Sequence, residues 1–224
     1  MQPKTLDHVA FWVADREPLA DFATRHLGMH VIDRQDTFTL IGSDARHGKL
    51  TLFDAEGPRE RGAIKHVALR VSDLEHARAH LPGGVDGEID VGEGIRVKLV
   101  EAQTEVEYDL DHVALYAVEP EQAAREYARL GFAPASPDAD GNPRVEVGGA
   151  YVEFHAGDPG DPERPLLNHV AVLVDSAEQH QREAETMGIV ERFVDAANTR
   201  AVFVWGPDRV RIEYVEHKPE FSLT

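Results

Sequence analysis

One pattern recurs four times along the chain. LDHVAFWV begins at Leu6, IKHVALRV at Ile64, LDHVALYA at Leu110 and LNHVAVLV at Leu167. Each copy has an aliphatic residue, one polar residue, His-Val-Ala and then further mainly apolar residues, so a histidine is set into what otherwise reads as a largely buried strand. The histidines His8, His66, His112 and His169 lie 58, 46 and 57 residues apart, and the first and third copies are offset by 104 residues. Spacings of this size mark an array of supersecondary units rather than one doubly wound parallel sheet. The chain reads as a duplicated pair of modules, with expected halves at residues 1–104 and 105–224.

Within a module, the histidine strand leads into a polar helical stretch: EPLADFATRHLG, DLEHARAHLPGG, EPEQAAREYARLG or SAEQHQREAETMG. In three of these Gly28, Gly131 or Gly188 follows the last turn, as a left-handed helix terminus requires. Acidic residues open the helices, where the dipole favours them. Short β-type runs follow, such as TFTLIG and KLTLFDA in the first module, PRVEVGG and AYVEFHA in the third, RAVFVWG and VRIEYVE in the fourth. The last two runs are joined by a turn at Gly206-Pro207-Asp208. The unit is strand, helix, then about three strands, repeated four times.

The balance of 41 acidic against 23 basic residues, a net charge of −18, leaves no basic stripe for nucleic acid. No apolar run approaches the roughly 20 residues of a membrane helix. The start MQPKTLDHV enters the first repeat without a secretory signal pattern, so a cytoplasmic protein is expected. The absence of cysteine excludes disulfides and thiolate metal sites. The expected partner is a small-molecule substrate, without nucleic acid or membrane, and the expected state is a monomer or homodimer.

Four βαβββ units, each opened by a strand histidine, resemble the vicinal oxygen chelate superfamily of glyoxalase I, methylmalonyl-CoA epimerase, fosfomycin and bleomycin resistance proteins and extradiol dioxygenases. The resemblance implies an α+β fold: two domains of paired modules, each a curled mixed sheet with helices outside. It also implies a cleft whose metal ligands come from first and last strands. On the last strands Tyr151, Glu153 and His155 share a face, as do Arg209, Arg211 and Glu213. Matching VEF (152–154) with IEY (212–214) gives His112, Glu153, His169 and Glu213, the His-Glu-His-Glu order of the glyoxalase I branch. The matching positions in the N-terminal half read Leu52 and Val100. His8 and His66 are therefore expected to be structural, so that the N-terminal pair supports and the C-terminal pair binds.

The implied cofactor is one divalent ion (Fe, Mn, Ni, Co or Zn), holding two vicinal oxygens of a substrate. The favoured expectation is lyase or isomerase chemistry through an enediolate-like anion, with Glu153 as general base and His155 as a weaker acid/base candidate. The alternative is an extradiol, catechol-type ring-cleaving dioxygenase using His112, His169 and Glu213. Against it, Phe203 stands where that branch carries a tyrosine, and Val194 to Arg200 lacks its histidine. A non-catalytic antibiotic-binding protein is the third reading, with Tyr116, Tyr151, Phe203 and Trp205 lining the cleft in any of the three.

Overall fold

The computed structural model describes residues 1–82, 87–219 and 221–223. The first module comprises β1 (Thr5–Val13), α1 (Arg16–His26), β2 (His30–Arg34), β3 (Phe38–Gly42) and β4 (Lys49–Asp54). The second has β5 (Ile64–Val71), α2 (Leu74–Ala79), β6 (Glu88–Gly92) and β7 (Ile95–Glu101), one strand fewer among the described residues. The third runs through β8 (Asp109–Ala117), α3 (Pro120–Arg129), β9 (Ala133–Pro134), β10 (Arg144–Val147) and β11 (Ala150–Ala156). The fourth contains β12 (Leu167–Leu173), α4 (Ala177–Met187), β13 (Val190–Asp195), β14 (Thr199–Trp205) and β15 (Arg211–His217). A 3-10 turn at Pro207–Arg209 makes the expected Gly-Pro-Asp connection. Gly83 and Gly84, which end the second helical stretch of the sequence, lie outside the described residues.

The fold is α+β, in two mixed sheets. The first, sheet I, has eight strands in the order β13-β14-β15-β12-β1-β4-β3-β2, and sheet II has seven in the order β6-β7-β5-β8-β11-β10-β9. The pairing of modules therefore differs from the expected halves: the first module joins the fourth, and the second joins the third. β1 runs antiparallel to β12, and β5 antiparallel to β8. The repeat in the sequence establishes that four opening strands are alike, but four like strands can pair in more than one way. The choice is made by packing, which no local pattern encodes.

Strand alternation then sorts the side chains. Val9, Phe11 and Val13 of β1, Val67 and Leu69 of β5, Val113 and Leu115 of β8, and Val170 and Val172 of β12 are all buried. They join one apolar core that runs across both sheets and takes in Leu19 and Ala23 of α1, Tyr127 of α3 and Ala184 of α4. The histidines and their alternate neighbours are left on the opposite, cleft-lining faces.

α4 ends on Gly188 in the left-handed region at φ +69°, and Gly28 and Gly131 after α1 and α3 also have positive φ. These ends differ in surroundings. A Cβ on Gly188 would meet nothing within 4 Å, whereas one on Gly131 would collide with the backbone carbonyl of Met1. Gly188→Ala is expected to cost about 1–2 kcal/mol, the conformational term alone. Gly131→Ala is expected to exceed it. Denaturant midpoints of the two variants check this, and equal losses would mean that the N-terminal segment simply moves aside.

Candidate metal centre

The register of β1 against β12 sets Ala10 opposite His169 and His8 opposite Ala171. Both histidines thus sit on the cleft face of sheet I, one step apart across the strand pair. β15 lies parallel to β12 with Glu213 beside Ala171, which completes a triangle. His8 Nε2 is 2.9 Å from His169 Nε2 and 3.2 Å from Glu213 Oε2, and His169 Nε2 is 2.9 Å from Glu213 Oε2. These three ligand-type atoms form a group able to hold a metal ion.

The outer faces of both imidazoles are engaged. His8 Nδ1–H donates to Asp7 Oδ2 at 2.8 Å, since a carboxylate can only accept. His169 Nδ1–H donates to Asn168 Oδ1 at 2.9 Å, and that oxygen also accepts from Arg211 Nη1 at 3.2 Å, which fixes the orientation of the amide. Both Nε2 atoms therefore turn toward Glu213, and three electron-rich atoms converge on one point. Such a cluster needs a positive charge between its members. A metal with bonds of about 2.1 Å has neighbouring ligand atoms about 3.0 Å apart at right angles and about 3.4 Å apart in a tetrahedron. The observed edges of 2.9, 2.9 and 3.2 Å match one face of an octahedron.

In the metal-free protein, a proton on His8 answers the same need. Burial by itself would lower the His8 pKa, but hydrogen bonds to Asp7 and Glu213 outweigh it and raise the value to about 9. Burial likewise works against the Glu213 carboxylate, yet the charge of His169 and the hydrogen bonds from His169 and His8 hold its pKa far below the ordinary range. Asp7 is itself buried. Lys49 Nζ at 2.8 Å and His217 Nε2 at 3.0 Å stabilise its charge and keep its pKa low against the effect of burial.

Of the residues singled out from sequence, His169 and Glu213 belong to this triangle, with Phe203 5.3 Å from the His169 ring, centroid to centroid. Trp205 lies on the same face under the Arg211 guanidinium, at 5.0 Å. His112, Glu153, His155, Tyr116 and Tyr151 are on sheet II instead. The expected four-residue set is thus divided between the two sheets, because the modules pair first with fourth and second with third. His8, expected to be structural, takes the place expected of His112.

The strand registers also correct the expected equivalences. Glu213 sits beside the residue two after His169, and Glu153 beside the residue two after His112. The corresponding positions are Thr51 beside Ala10 and Lys98 beside Ala68, not Leu52 and Val100. Leu52 faces the apolar core.

Asp7, Lys49, Thr51 and His217 were not anticipated. One signal was available: the residue before the histidine is an acceptor in three of four copies (Asp7, Asp111 and Asn168), which is what an oriented imidazole ligand needs. The cleft beside the triangle is aromatic. Phe53 lies 6.1 Å from His169 on the side away from Phe203, and Trp12 and Phe38 each lie 5.5 Å from Phe53. A cavity of about 260 Å³ bordered by Trp12, Leu167, Trp205 and Arg211 reaches Asn168, which orients His169.

Residues 5–84 match the model of the Glyoxalase/Bleomycin resistance protein/Dioxygenase superfamily. The match covers the first module and the opening strand and helix of the second. No curated protein matches the sequence. Among solved structures, the fold is shared with a "putative dioxygenase" from Bacillus subtilis at a TM-score of 0.82 and 15% identity, over 98% of this chain and 87% of that one. It is shared with glyoxalase I from Zea mays at a TM-score of 0.74 and 14% identity, over 95% and 92%. It is also shared with the cppA protein of Streptococcus pneumoniae at 0.60 and 12%, over 96% and 98%. At these identities the likeness is one of fold. Among the described residues, no helix is long and apolar enough to cross a membrane.

The raised pKa of His8 sets the sign of a pH effect. Its protonation stabilises the metal-free fold fully below the unfolded histidine value of about 6.5. The contribution is lost as pH rises through about 9. Metal-free protein is expected to lose thermal stability between pH 6.5 and 10, and Asp7→Asn to flatten that slope. Unfolding scans across this range check both, and a flat wild-type profile would mean that His8 is not the group holding the proton.

Proposed function

We propose that the chain is an enzyme whose sheet I cleft holds one divalent transition metal through His8, His169 and Glu213 and acts on a small aromatic substrate with two adjacent oxygens. The single observation behind this reading is the octahedral-face spacing of the three ligand atoms. Two imidazoles and one carboxylate suit Fe(II), Mn(II), Ni(II), Co(II) or Zn(II). Once bound, the ion supplies Lewis acidity toward vicinal oxygens and keeps positions open for a second reactant.

The finer reading is a ring-cleaving dioxygenase acting on a catechol, with O₂ as co-reactant. Two features favour it over lyase or isomerase chemistry. The latter calls for a carboxylate that can act as base at the fourth ligand position. Thr51 stands there, and the expected base, Glu153, lies on the other sheet. In addition, Phe53 and Phe203 flank His169, and flat aromatic walls complement a flat ring. Phe203 thus offers a stacking or edge contact rather than the proton donor that a tyrosine would supply. Arg211 is held by Glu191 at 2.6 Å and by Asn168. It brings a fixed positive charge to the side of the cleft where an ionised catechol would lie.

The test is O₂ uptake with a panel of catechols after anaerobic loading with Fe(II), run beside hemithioacetal isomerisation after loading with Ni(II) or Zn(II). The expected outcome is catechol-dependent O₂ uptake that falls at least 100-fold in His8→Ala and in Glu213→Ala, with Glu153→Gln within about threefold of wild type. Isomerisation abolished by Glu153→Gln would sink the dioxygenase reading. Activity indifferent to His8→Ala would remove the metal centre on sheet I.

A further inference from the structure

A cavity of about 230 Å³ lies where the start of β1 and the end of β12 meet the start of β8 and the end of β5. The reaction proposed for sheet I leaves it unused. Its walls are tied together across the two sheets. Gly48 N, in the β3–β4 loop of sheet I, donates to Asp109 Oδ1 at 2.9 Å, and Ser43 Oγ of the same loop donates to the Tyr108 carbonyl. In return Gly148, in the β10–β11 turn of sheet II, packs so closely on the Lys4 carbonyl that a Cβ there would collide with it. The cavity is therefore framed by both sheets rather than by one loose loop.

Two acids and two arginines line this space, Asp7, Asp109, Arg46 and Arg70. The acids are already answered. Asp7 is held by Lys49 at 2.8 Å, by His217 at 3.0 Å and by the His8 ring. Asp109 Oδ1 accepts from the backbone N–H groups of Gly48 and Leu110, the latter at 2.8 Å. The cations are not answered in the same way. Arg70 Nη2 donates to the Gly149 carbonyl at 2.7 Å, but its Nε is buried without a hydrogen-bond partner, with Asp111 Oδ2 at 3.6 Å. Among the described residues, the Arg46 side chain makes no hydrogen bond or ion pair. A buried donor without an acceptor is costly. In a chain of net charge −18, two underused guanidiniums at one cavity are not a by-product of surface composition.

We propose that this cavity binds a small aliphatic carboxylate, its oxygens taken by Arg46 and Arg70 and its hydrocarbon part by Leu6, Leu110 and Leu173. The planar fork of a guanidinium matches a carboxylate in two parallel hydrogen bonds. A carboxylate oxygen also supplies the acceptor that Arg70 Nε lacks. The volume is below the roughly 300–1,000 Å³ of pockets for drug-sized ligands, which limits the occupant to a few heavy atoms. Inorganic phosphate would satisfy the cations but leave the leucine wall uncovered. The opposing feature is the charge of Asp109, which its two backbone donors offset. The site does not depend on the metal centre or the activity proposed for sheet I.

The test is titration of the nitrogen-15-labelled protein with glutarate and with butyrate at constant ionic strength, beside inorganic phosphate and butylamine. At least one of the two carboxylates is expected to give saturable amide shifts at Arg46, Gly148 and Ala150, with phosphate at least tenfold weaker and butylamine silent. Arg70→Gln and Arg46→Ala are each expected to weaken carboxylate binding at least tenfold. Arg46 is exposed, so Arg46→Ala keeps the test readable if Arg70→Gln disturbs the sheet contact. Glu213→Ala is expected to leave carboxylate binding unchanged. Absence of saturation with both carboxylates would overturn the proposal, as would binding indifferent to Arg46→Ala or matched by phosphate. Carboxylate binding lost only in Glu213→Ala would place the ligand at the His8–His169–Glu213 triangle and overturn it too. Failure of the catechol assay, with these shifts intact, would count against the proposed enzyme and leave this site standing.

Discussion

The antiparallel contact of β1 with β12 is the constraint on which the rest of the cleft depends. Two strands of one sequence pattern meet in a register that sets each histidine opposite an alanine. The small alanines at positions 10 and 171 leave room for the imidazoles to turn toward each other. A shift of one residue would send both histidines into the apolar core and both valine rows into the cleft. The burial of Val9, Phe11, Val170 and Val172 therefore holds the ligands in place without touching them. Packing energy on one face of the sheet fixes electrostatics on the other.

A buried charge network supports this contact from below. Asp7 and Lys49 are both almost completely inaccessible, and they pair at 2.8 Å. Such a pair adds little net stability, but losing one partner leaves an uncompensated charge and costs about 3–5 kcal/mol. Its value lies in what the second Asp7 contact does, because a carboxylate held between Lys49, His217 and His8 fixes one tautomer of the His8 ring. On sheet II, Asp111 stands behind His112 in the same way and has Arg70 at 3.6 Å. The two clefts have thus kept one plan for orienting histidines while their last strands have diverged to Thr51 and Glu213 in one, and to Lys98 and Glu153 in the other.

A good deal of this was legible in the chain before folding. The strand histidines, the helices with their terminal glycines, the four modules and the cleft-facing side of each strand all follow from patterns a few residues long. Strand period and helix period are local properties, set by backbone geometry. Glu153 and Glu213 could be recognised as equivalent because VEF and IEY repeat the same alternation. The Asp, Asp and Asn before His8, His112 and His169 were also readable as acceptors for a ring nitrogen.

What the sequence could not determine is which module meets which. Four strands of nearly the same pattern compete for the same partners, and the outcome depends on how helices and loops far apart in the chain fill a shared core. That pairing alone moved His8 from a supporting role into a triangle with His169 and Glu213, and left His112 and Glu153 with His66 and His155. The equivalence of Thr51 and Lys98 to the glutamates was hidden for a related reason. Position along a strand is defined by its hydrogen-bonded neighbour, so a slip of one residue in KLTLFDA or IRVKLVEA is invisible until the strands are laid side by side. Sequence determined which kinds of side chain line the clefts. Only the tertiary structure decided which of them share a cleft, because alternation is written within a strand and partnership between strands.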